Sequence, residues 1–191
     1  GRAAPAPAPP PPQKAFLISV PFFRATGCFA IMIPSMMTGN KIVMQRRWDC
    51  DQALPLMAKE RVTHFGGVPT IAWQVLEHPK IDEYDLSSIE GVSYGGAPAA
   101  PELVNRIKAR FPNAQPGQGW GMTETTPIAA VNYLKRELGA LTGDALYATR
   151  AKQGVPLPFV EVRASTGQGE APWNGETLGE LEVRGPWIAA G

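Results

Sequence analysis

The sequence predicts an α/β fold built on a mainly parallel sheet. From residue 15 onward, short apolar stretches of strand character alternate with amphipathic helical stretches, at intervals of roughly 25 to 30 residues. Connections of that length suit right-handed crossovers between parallel strands. The chain has 191 residues, of which 44% are hydrophobic, enough for a sizeable core. We therefore expect a mainly parallel sheet with flanking helices, followed by part of a small antiparallel β-subdomain.

The chain begins with a proline- and alanine-rich stretch, GRAAPAPAPPPPQ. Proline removes backbone donors and favours the extended polyproline conformation. Residues 1–14 are therefore predicted to be a disordered tail or linker, with an SH3-type ligand as the alternative. Residues 15–150 are predicted to form the central α/β part, and residues 151–191 a partial β-subdomain.

The first strands and helices are predicted between residues 15 and 65. Strand composition favours strands at residues 15–20, 41–44 and 61–65. Residues 28–37 are apolar on nearly every side, which predicts a buried helix. Residues 49–61 have apolar side chains at helical spacing, and Asp49 or Asp51 is available to cap that helix.

The alternation continues with a helix at residues 71–77 and a strand at residues 91–94. Pro101 and Glu102 suit the first turn of the next helix, which is expected to end before Pro112. Beyond Lys135 the alternating pattern weakens. Residues 154–162 and 178–184 predict short antiparallel strands joined by the turn-rich residues 165–176.

Two glycine-rich turns follow adjacent predicted strands, at residues 95–97 and 119–121. Ligands of α/β sheets bind at the carboxyl ends of strands, and glycine lets backbone amides approach a ligand closely. Trp120 offers a flat face for a planar ring, Thr123 can donate to a phosphate oxygen, and Glu124 is a hard oxygen ligand for magnesium. Together these residues predict a site for a purine nucleotide with its metal.

Composition argues against several other classes. The net charge of +1 comes from 18 basic and 17 acidic residues spread along the chain, which excludes an extended nucleic-acid-binding face. Cys28 and Cys50 are expected to be small buried apolar residues of a reducing compartment, in preference to a disulfide or metal site. His64 and His78 have no evident catalytic partner in the sequence.

No apolar run has the roughly 18 residues that a membrane helix needs, and the first residues lack the plan of a secretory signal. An intracellular, cytoplasmic location is therefore expected, with organelle association left open.

Five motifs resemble those of the adenylate-forming enzymes, the superfamily of acyl-CoA synthetases, luciferases and peptide-synthetase adenylation domains. GQGWGMTETTP is similar to their GYGxTE motif, PFFRATG to PxFHxxG, and VTHFGGVPT to their VPT segment. YGGAPAAPEL resembles their adenine loop, and GELEVRGPWIAAG their GELxVRGPxxxxGY motif. All five occur in family order and cover nearly all of the chain after residue 15.

Within this superfamily the sequence is most similar to medium- and long-chain fatty-acyl-CoA synthetases. The resemblance implies that magnesium is held by Glu124, that Thr123 and Glu124 act in catalysis, and that Arg24, Val68 and Ile128 contact the acid. It also implies a nucleotide site lined by Gly95, Gly96, Ala97, Pro98, Gly119, Trp120, Gly121, Met122 and Thr123. The implied small-molecule substrates are a fatty acid, ATP and coenzyme A, with Mg²⁺ as cofactor.

Two departures from the family qualify these expectations. Arg24 stands where the family usually has histidine; arginine cannot act as a neutral base, although it can pair with a phosphate or a carboxylate. The quoted motifs match only a central region of the family, whose phosphate loop lies upstream and whose TGD motif and lysine-bearing small domain lie downstream. The tripeptide at residues 142–144 precedes the last motif and is interpreted as a turn.

We therefore expect a central fragment of a fatty acid–CoA ligase that is inactive alone. A non-catalytic nucleotide- or acyl-binding module, or an interaction module, is the alternative from another class. An adenylating enzyme for an aryl or amino acid is a further alternative. It is disfavoured because the apolar residues Ile128, Ala129 and Ala130 follow the motif, and no charged group beside them could hold an amine.

Overall fold

A computed structural model describes residues 12–189 of the chain. Most of the tail predicted at residues 1–14, and the last two residues of the final motif, lie outside the described residues. Within residues 12–189, no helix combines the length and apolar character required to span a bilayer.

A seven-stranded sheet forms the centre of the molecule. Its strands are β1 Ala15–Ile18, β2 Lys41–Met44, β3 His64–Gly67, β4 Gly91–Gly95, β5 Gln115–Trp120, β6 Ala130–Asn132 and β7 Val155–Pro156. They are arranged in the order β2-β1-β3-β4-β5-β6-β7. The first five strands in this order are parallel, while β6 and β7 are antiparallel to their neighbours. The predicted α/β class with a mainly parallel sheet is confirmed.

The helices lie between the strands, as the alternation predicts. They are α1 Ile33–Met37, which continues a π-helical segment at Thr26–Met32, α2 Cys50–Lys59, α3 Pro69–Leu76, α4 Pro101–Arg110 and α5 Gly143–Arg150. Short 3-10 helices are found at Ile81–Glu83, Thr123–Thr125 and Arg136–Leu138. Asp49 caps α2, because its carboxylate accepts a hydrogen bond from the Gln52 N–H, as the sequence predicts.

The core lies between the sheet and a layer formed by α2, α3 and α4. Every second strand residue points toward this layer and meets buried side chains of the helices. The strands contribute Leu17, Phe65 and Val92, and the helices contribute Leu54, Met57, Leu103 and Ile107. Each large apolar side chain buried there contributes roughly 1.5 to 3 kcal/mol. On the other face, Phe16, His64, Ser93 and Met44 are half-buried or exposed.

The helix predicted at residues 28–37 is present but is not buried. The π-helical segment and α1 bury little beyond Gly27 and Ser35, while Phe29, Met36 and Met37 are 49%, 69% and 81% exposed. The prediction was wrong because apolar composition indicates that a helix favours burial but does not show whether another part of the chain covers it. Among residues 12–189, little packs on this side of the helix.

The strand predicted at residues 61–65 begins later, at His64. Arg61 has a left-handed φ of 48°, which interrupts the extended conformation directly after α2. Gly66 and Gly67, expected to follow the strand, are its last two residues.

Cys28 and Cys50 are both free, and both are half-buried where full burial was expected. Burial, followed by the nearby carboxylates of Asp51 and Asp49, raises the pKa of the Cys50 thiol to about 11. That thiol is therefore protonated at neutral pH.

The predicted antiparallel β-subdomain is also present. It comprises β8 Glu161–Thr166, β9 Gly169–Glu170 and β10 Glu180–Arg184, in the order β10-β8-β9. Part of the strand predicted at residues 154–162 instead forms β7, which joins the large sheet beside β6. The boundary at residue 150 stays a prediction.

Candidate functional site

The two glycine-rich turns leave the sheet side by side. Strands β4 and β5 are parallel neighbours, and their register pairs Tyr94 with Gln118 and Gly95 with Gly119. The predicted site residues Gly96, Ala97 and Pro98 follow β4, while Gly121 and Met122 follow β5. Gly119 and Trp120 are the last two residues of β5, where the sequence placed them in a turn after it. The expectation that both turns face one crevice at the carboxyl edge of the sheet agrees with this arrangement.

Close backbone contacts explain why glycine is needed in this region. A Cβ atom added to Gly95 would lie 2.6 Å from the Gly119 carbonyl oxygen. A Cβ added to Gly121 would lie 1.9 Å from the Pro127 carbonyl oxygen, well inside van der Waals contact. Both positions therefore exclude side chains without a shift of the backbone.

A short 3-10 turn, Thr123–Thr125, carries the predicted phosphate and magnesium residues. Thr125 is buried and stabilises this turn from inside. Its hydroxyl accepts a hydrogen bond from the Met122 N–H at 2.8 Å and donates one to the Pro127 carbonyl oxygen at 2.9 Å. Thr126 ends the turn with a left-handed φ of 45°. Sequence analysis assigned no role to Thr125 or Thr126 and did not show these structural roles.

Thr123 and Glu124 are both exposed at the surface of this turn. Within residues 12–189, neither the Thr123 hydroxyl nor the Glu124 carboxylate hydrogen-bonds to another protein group, so both are accessible to a ligand. Mg²⁺ is commonly held by one or two carboxylates together with substrate phosphates and water. The donor set around Glu124 fits that kind of site.

Trp120 is the last residue of β5, shortly before this turn, and its side chain is half-exposed. A planar aromatic surface at the carboxyl edge of the sheet suits stacking on a nucleobase. Its role in binding adenine stays a prediction.

Two of the residues predicted to contact the acid lie beside the glycines. A Val68 methyl carbon is 4.0 Å from the position that a Cβ of Gly96 would occupy, and an Ile128 methyl carbon is 3.9 Å from that of Gly119. Arg24 is exposed in the turn after β1, where its backbone N–H donates to the Pro21 carbonyl at 3.1 Å. Its contact with an acid stays a prediction.

A segment distant in sequence completes the turn around Glu124. The Thr126 hydroxyl donates to the Trp187 carbonyl at 2.8 Å, and the Ala189 N–H donates to the Glu124 carbonyl at 2.7 Å. The Trp187–Ala189 segment follows β10 and belongs to the last of the five motifs. Sequence reasoning identified that motif but did not place it against this turn, since the contact is between residues about 60 positions apart.

Two buried polar side chains lie just inside the glycine turns. Tyr94 and Gln118 are 3% and 1% exposed, and among the described residues neither the Tyr94 hydroxyl nor either Gln118 amide atom has a hydrogen-bond partner. Burial raises the pKa of Tyr94 to about 12, and Arg150 opposes this shift. Neighbouring Asn132 is satisfied, because its amide donates to the Thr149 and Lys152 carbonyls at the end of α5.

The tripeptide at residues 142–144 was interpreted as a turn. Thr142 is the N-cap residue of α5, and Gly143 and Asp144 form the first turn of that helix. They therefore begin a helix that packs on α4.

Both histidines make contacts of a structural kind. His64 stacks on Phe16 with ring centroids 4.7 Å apart, and burial lowers the pKa of His64. His78 lies 3.1 Å from the Asp51 carboxylate, at the end of α3.

A cleft of about 790 Å³ lies at the opposite, amino-terminal edge of the sheet. Its lining carries paired charges: Lys14 lies 2.5 Å from Glu90, and Lys41 lies 2.5 Å from Glu60. These pairs engage Lys14 and Lys41 with carboxylates of the protein, and the residues of the five motifs that are predicted to bind ligands lie at the other edge. We therefore assign the candidate site to the carboxyl edge.

Comparison with known proteins agrees with the motifs. The profile of the family described as AMP-binding enzyme matches residues 3–191. A long-chain-fatty-acid–CoA ligase of Thermus thermophilus is 28% identical over 173 residues, which are 90% of this chain and 32% of that ligase. A 4-coumarate–CoA ligase of Solanum tuberosum is 37% identical over 112 residues, 59% of this chain and 21% of that ligase.

Solved structures resemble the chain over most of its length. A variant of an amide bond synthetase from Marinactinospora thermotolerans has a TM-score of 0.74 and 30% identity, covering 95% of this chain and 34% of that one. An o-succinylbenzoate–CoA synthetase from Bacillus subtilis, in complex with ATP and magnesium, has a TM-score of 0.72, covering 94% of this chain and 34% of that one. Its identity of 23% supports the shared fold alone.

The chain spans about a third of the length of the long-chain ligase and about a fifth of the coumarate ligase. The profile match nevertheless extends over almost all of the 191 residues. The order of the motifs and the meeting of the β4 and β5 turns agree with that match. This chain belongs to the AMP-binding enzyme family.

Proposed function

We propose that the chain provides part of the nucleotide and acid site of an ATP-dependent fatty acid–CoA ligase. One observation carries the proposal: the Gly95–Gly119 register brings the adenine-loop motif and the Thr123–Glu124 motif to one edge of the sheet. Each motif alone is compatible with an ordinary turn. Their juxtaposition at the carboxyl ends of parallel strands is where an α/β sheet binds a ligand.

The proposed reaction has two halves. A carboxylate oxygen of the acid attacks the α-phosphorus of ATP, a P–O bond forms, and pyrophosphate leaves to give an acyl-adenylate. The thiolate sulfur of coenzyme A then attacks the acyl carbon, and AMP leaves as the thioester forms. Positioning and charge neutralisation supply most of the acceleration in such transfers.

Each site residue has a role in this scheme. Trp120 stacks on adenine, the Thr123 hydroxyl donates to the α-phosphate, and Glu124 holds Mg²⁺, which neutralises the charge of the phosphates. The backbone from Gly95 to Pro98 and from Gly119 to Met122 lines the nucleotide. Arg24 pairs with the carboxylate of the acid or with a phosphate.

A fatty acid is favoured because the side chains beside the glycines are apolar. Val68 and Ile128 lie next to Gly96 and Gly119, and Ala129 and Ala130 after them are buried. Such a lining suits an alkyl chain. An aryl acid is the second candidate, favoured by the 37% identity to a coumarate ligase over 59% of this chain.

Calorimetric titration of the 191-residue chain tests the proposal. Binding of ATP and of a non-hydrolysable alkyl acyl-adenylate analogue is measured with Mg²⁺ and with EDTA. We expect Mg²⁺ to strengthen binding and the Glu124→Gln variant to lose about tenfold or more of that gain, because a charged ligand contact is worth roughly 1.5 to 3 kcal/mol. Affinity in EDTA should be unchanged by the substitution.

An aryl acyl-adenylate analogue serves as the comparison ligand. Tighter binding of the alkyl analogue supports a fatty acid, whereas tighter binding of the aryl analogue assigns the second candidate. No binding of either analogue contradicts the nucleotide site itself. Because the chain spans about a third of the long-chain ligase, we expect it to form no CoA thioester by itself.

A further inference from the structure

The peptide carbonyl of Glu124 is held by a segment far along the chain. The Ala189 N–H donates to this carbonyl at 2.7 Å, and two residues later the Thr126 hydroxyl donates to the Trp187 carbonyl at 2.8 Å. These two hydrogen bonds join the Thr123–Thr125 turn to the Trp187–Ala189 segment, one at the Glu124 carbonyl and the other at Thr126, directly after the turn. The orientation of that peptide determines the direction in which the Glu124 side chain leaves the backbone.

The conformation of Thr126 is costly for its residue type. Its φ of 45° and ψ of 62° lie in the left-handed region, which glycine adopts freely and β-branched residues rarely adopt. A strained residue persists when the surrounding contacts over-determine it. Thr126 has such a contact in its hydrogen bond to Trp187, which glycine could not make.

The hydrogen bonds inside the turn do not involve this segment. Thr125 is buried and its hydroxyl bridges Met122 and Pro127, which satisfies backbone groups on both sides of the turn. The Trp187–Ala189 contacts are a separate set of hydrogen bonds, made at Glu124 and Thr126.

We propose that Thr126 is a positioning residue, which couples the Trp187–Ala189 segment to the magnesium ligand Glu124. This inference rests on the proposed function, in which Glu124 holds Mg²⁺. The hydroxyl of Thr126 touches neither metal nor nucleotide in this scheme. It acts through the Glu124 peptide, by keeping the carboxylate in the direction of the bound phosphates.

Replacement of Thr126 by glycine separates positioning from stability. Thr126→Gly relieves the left-handed strain but removes the hydroxyl and gives the unfolded chain more conformational freedom, so its effects on thermal unfolding partly cancel. A residue with only a structural role would leave the Mg²⁺-dependent affinity of the folded chain unchanged. We expect instead that this variant folds but loses about three- to tenfold of the gain in ATP affinity that Mg²⁺ produces, as the loss of one hydrogen bond implies. Thr126→Ser keeps the hydroxyl and should restore that gain.

Hydrogen exchange measures the coupling directly. The Ala189 amide is expected to exchange more slowly than the amides of a frayed chain end in the original chain, and to lose this protection in Thr126→Gly. A chain that ends at residue 185 removes the segment altogether and should lose the same part of the Mg²⁺-dependent gain. It serves as the second variant should Thr126→Gly fail to fold.

Each outcome decides the inference. Full retention of the Mg²⁺-dependent gain by Thr126→Gly, or by the chain ending at residue 185, overturns it. Loss of the gain that Thr126→Ser does not restore also overturns a role for the hydroxyl. If Glu124→Gln itself keeps the gain, the proposed magnesium site is wrong, and the positioning role is wrong with it. If only Glu124→Gln loses the gain, the proposed function stands and the positioning role fails.

Discussion

The two edges of the parallel sheet differ in how they treat polar groups. At the amino-terminal edge, charged side chains meet each other, as in the pairs of Lys14 with Glu90 and Lys41 with Glu60. At the carboxyl edge, Glu124 and Thr123 are exposed without a partner among residues 12–189, while the backbone behind them is closely packed. Two ion pairs at one edge join charged side chains within the protein, whereas the other edge presents Thr123 and Glu124 to solvent on a closely packed backbone.

This contrast distinguishes groups that stabilise the fold from groups that bind a ligand. Exposed ion pairs typically contribute only about 0.2 to 1 kcal/mol, so the amino-terminal edge has a modest effect on stability. A functional site needs groups whose positions are fixed and whose interactions are left for the ligand. Substitutions at the two edges should therefore change different measured quantities.

The largest effect is expected where the carboxyl edge is most closely packed. Gly121→Ala should lower the free energy of unfolding by about 1 to 3 kcal/mol, as overpacking does, because the new Cβ meets the Pro127 carbonyl at 1.9 Å. The displaced turn should also weaken binding of Mg-ATP. Chemical denaturation and calorimetric titration measure the two effects.

Gly117→Ala is the matched control, on the strand β5 that leads to Gly121. A Cβ at Gly117 meets no atom within 4 Å, so the substitution should be neutral or stabilise the strand by up to about 1 kcal/mol. Equal destabilisation by the two substitutions would show that close packing at Gly121 is not the cause.

An effect on affinity alone, without a change in stability, is expected for Trp120. Trp120→Ala should weaken nucleotide binding by about 1 to 3 kcal/mol through lost stacking. Trp173→Ala is the control, because Trp173 is exposed on the loop that follows β9 and carries no predicted contact with the nucleotide. Unchanged affinity in Trp120→Ala would place adenine elsewhere.

The smallest effect is expected at the amino-terminal edge. Glu90→Gln breaks the ion pair with Lys14 and should lower the free energy of unfolding by about 0.2 to 1 kcal/mol, less at high salt. Nucleotide affinity with Mg²⁺ should not change, in contrast to Glu124→Gln. A loss of affinity in Glu90→Gln would assign a ligand to the cleft at this edge.

Local patterns were sufficient to predict most of the fold. The spacing of the apolar residues distinguishes strands from helices, so β1 to β4 and α2 to α4 were located to within a few residues, while β5 was implied only by the turn predicted to follow it. The start of β3 was missed because the left-handed Arg61 leaves no clear signal in composition. The exposed helix at Thr26–Met37 was interpreted as buried because apolar content does not identify the covering partner.

The candidate site was predictable only in part, for a similar reason. Gly95, Gly121, Thr123 and Glu124 lie in continuous motifs, and each motif follows its own strand. The contact of Thr126 with Trp187 joins the last two motifs, GQGWGMTETTP and GELEVRGPWIAAG. These motifs are far apart along the chain, so no local pattern encodes the contact. The lack of hydrogen-bond partners for the Tyr94 and Gln118 polar atoms within residues 12–189 likewise depends on how β4 and β5 pair, which no local pattern shows.

The position of β1 between β2 and β3 has a consequence during synthesis on the ribosome. Neither neighbour of β1 has been made when its apolar residues Ala15–Ile18 emerge, since β2 begins at Lys41 and β3 at His64. At about 5 to 20 residues per second, the second neighbour arrives several seconds later. During that interval neither strand that pairs with β1 in the folded protein is available to cover its apolar residues.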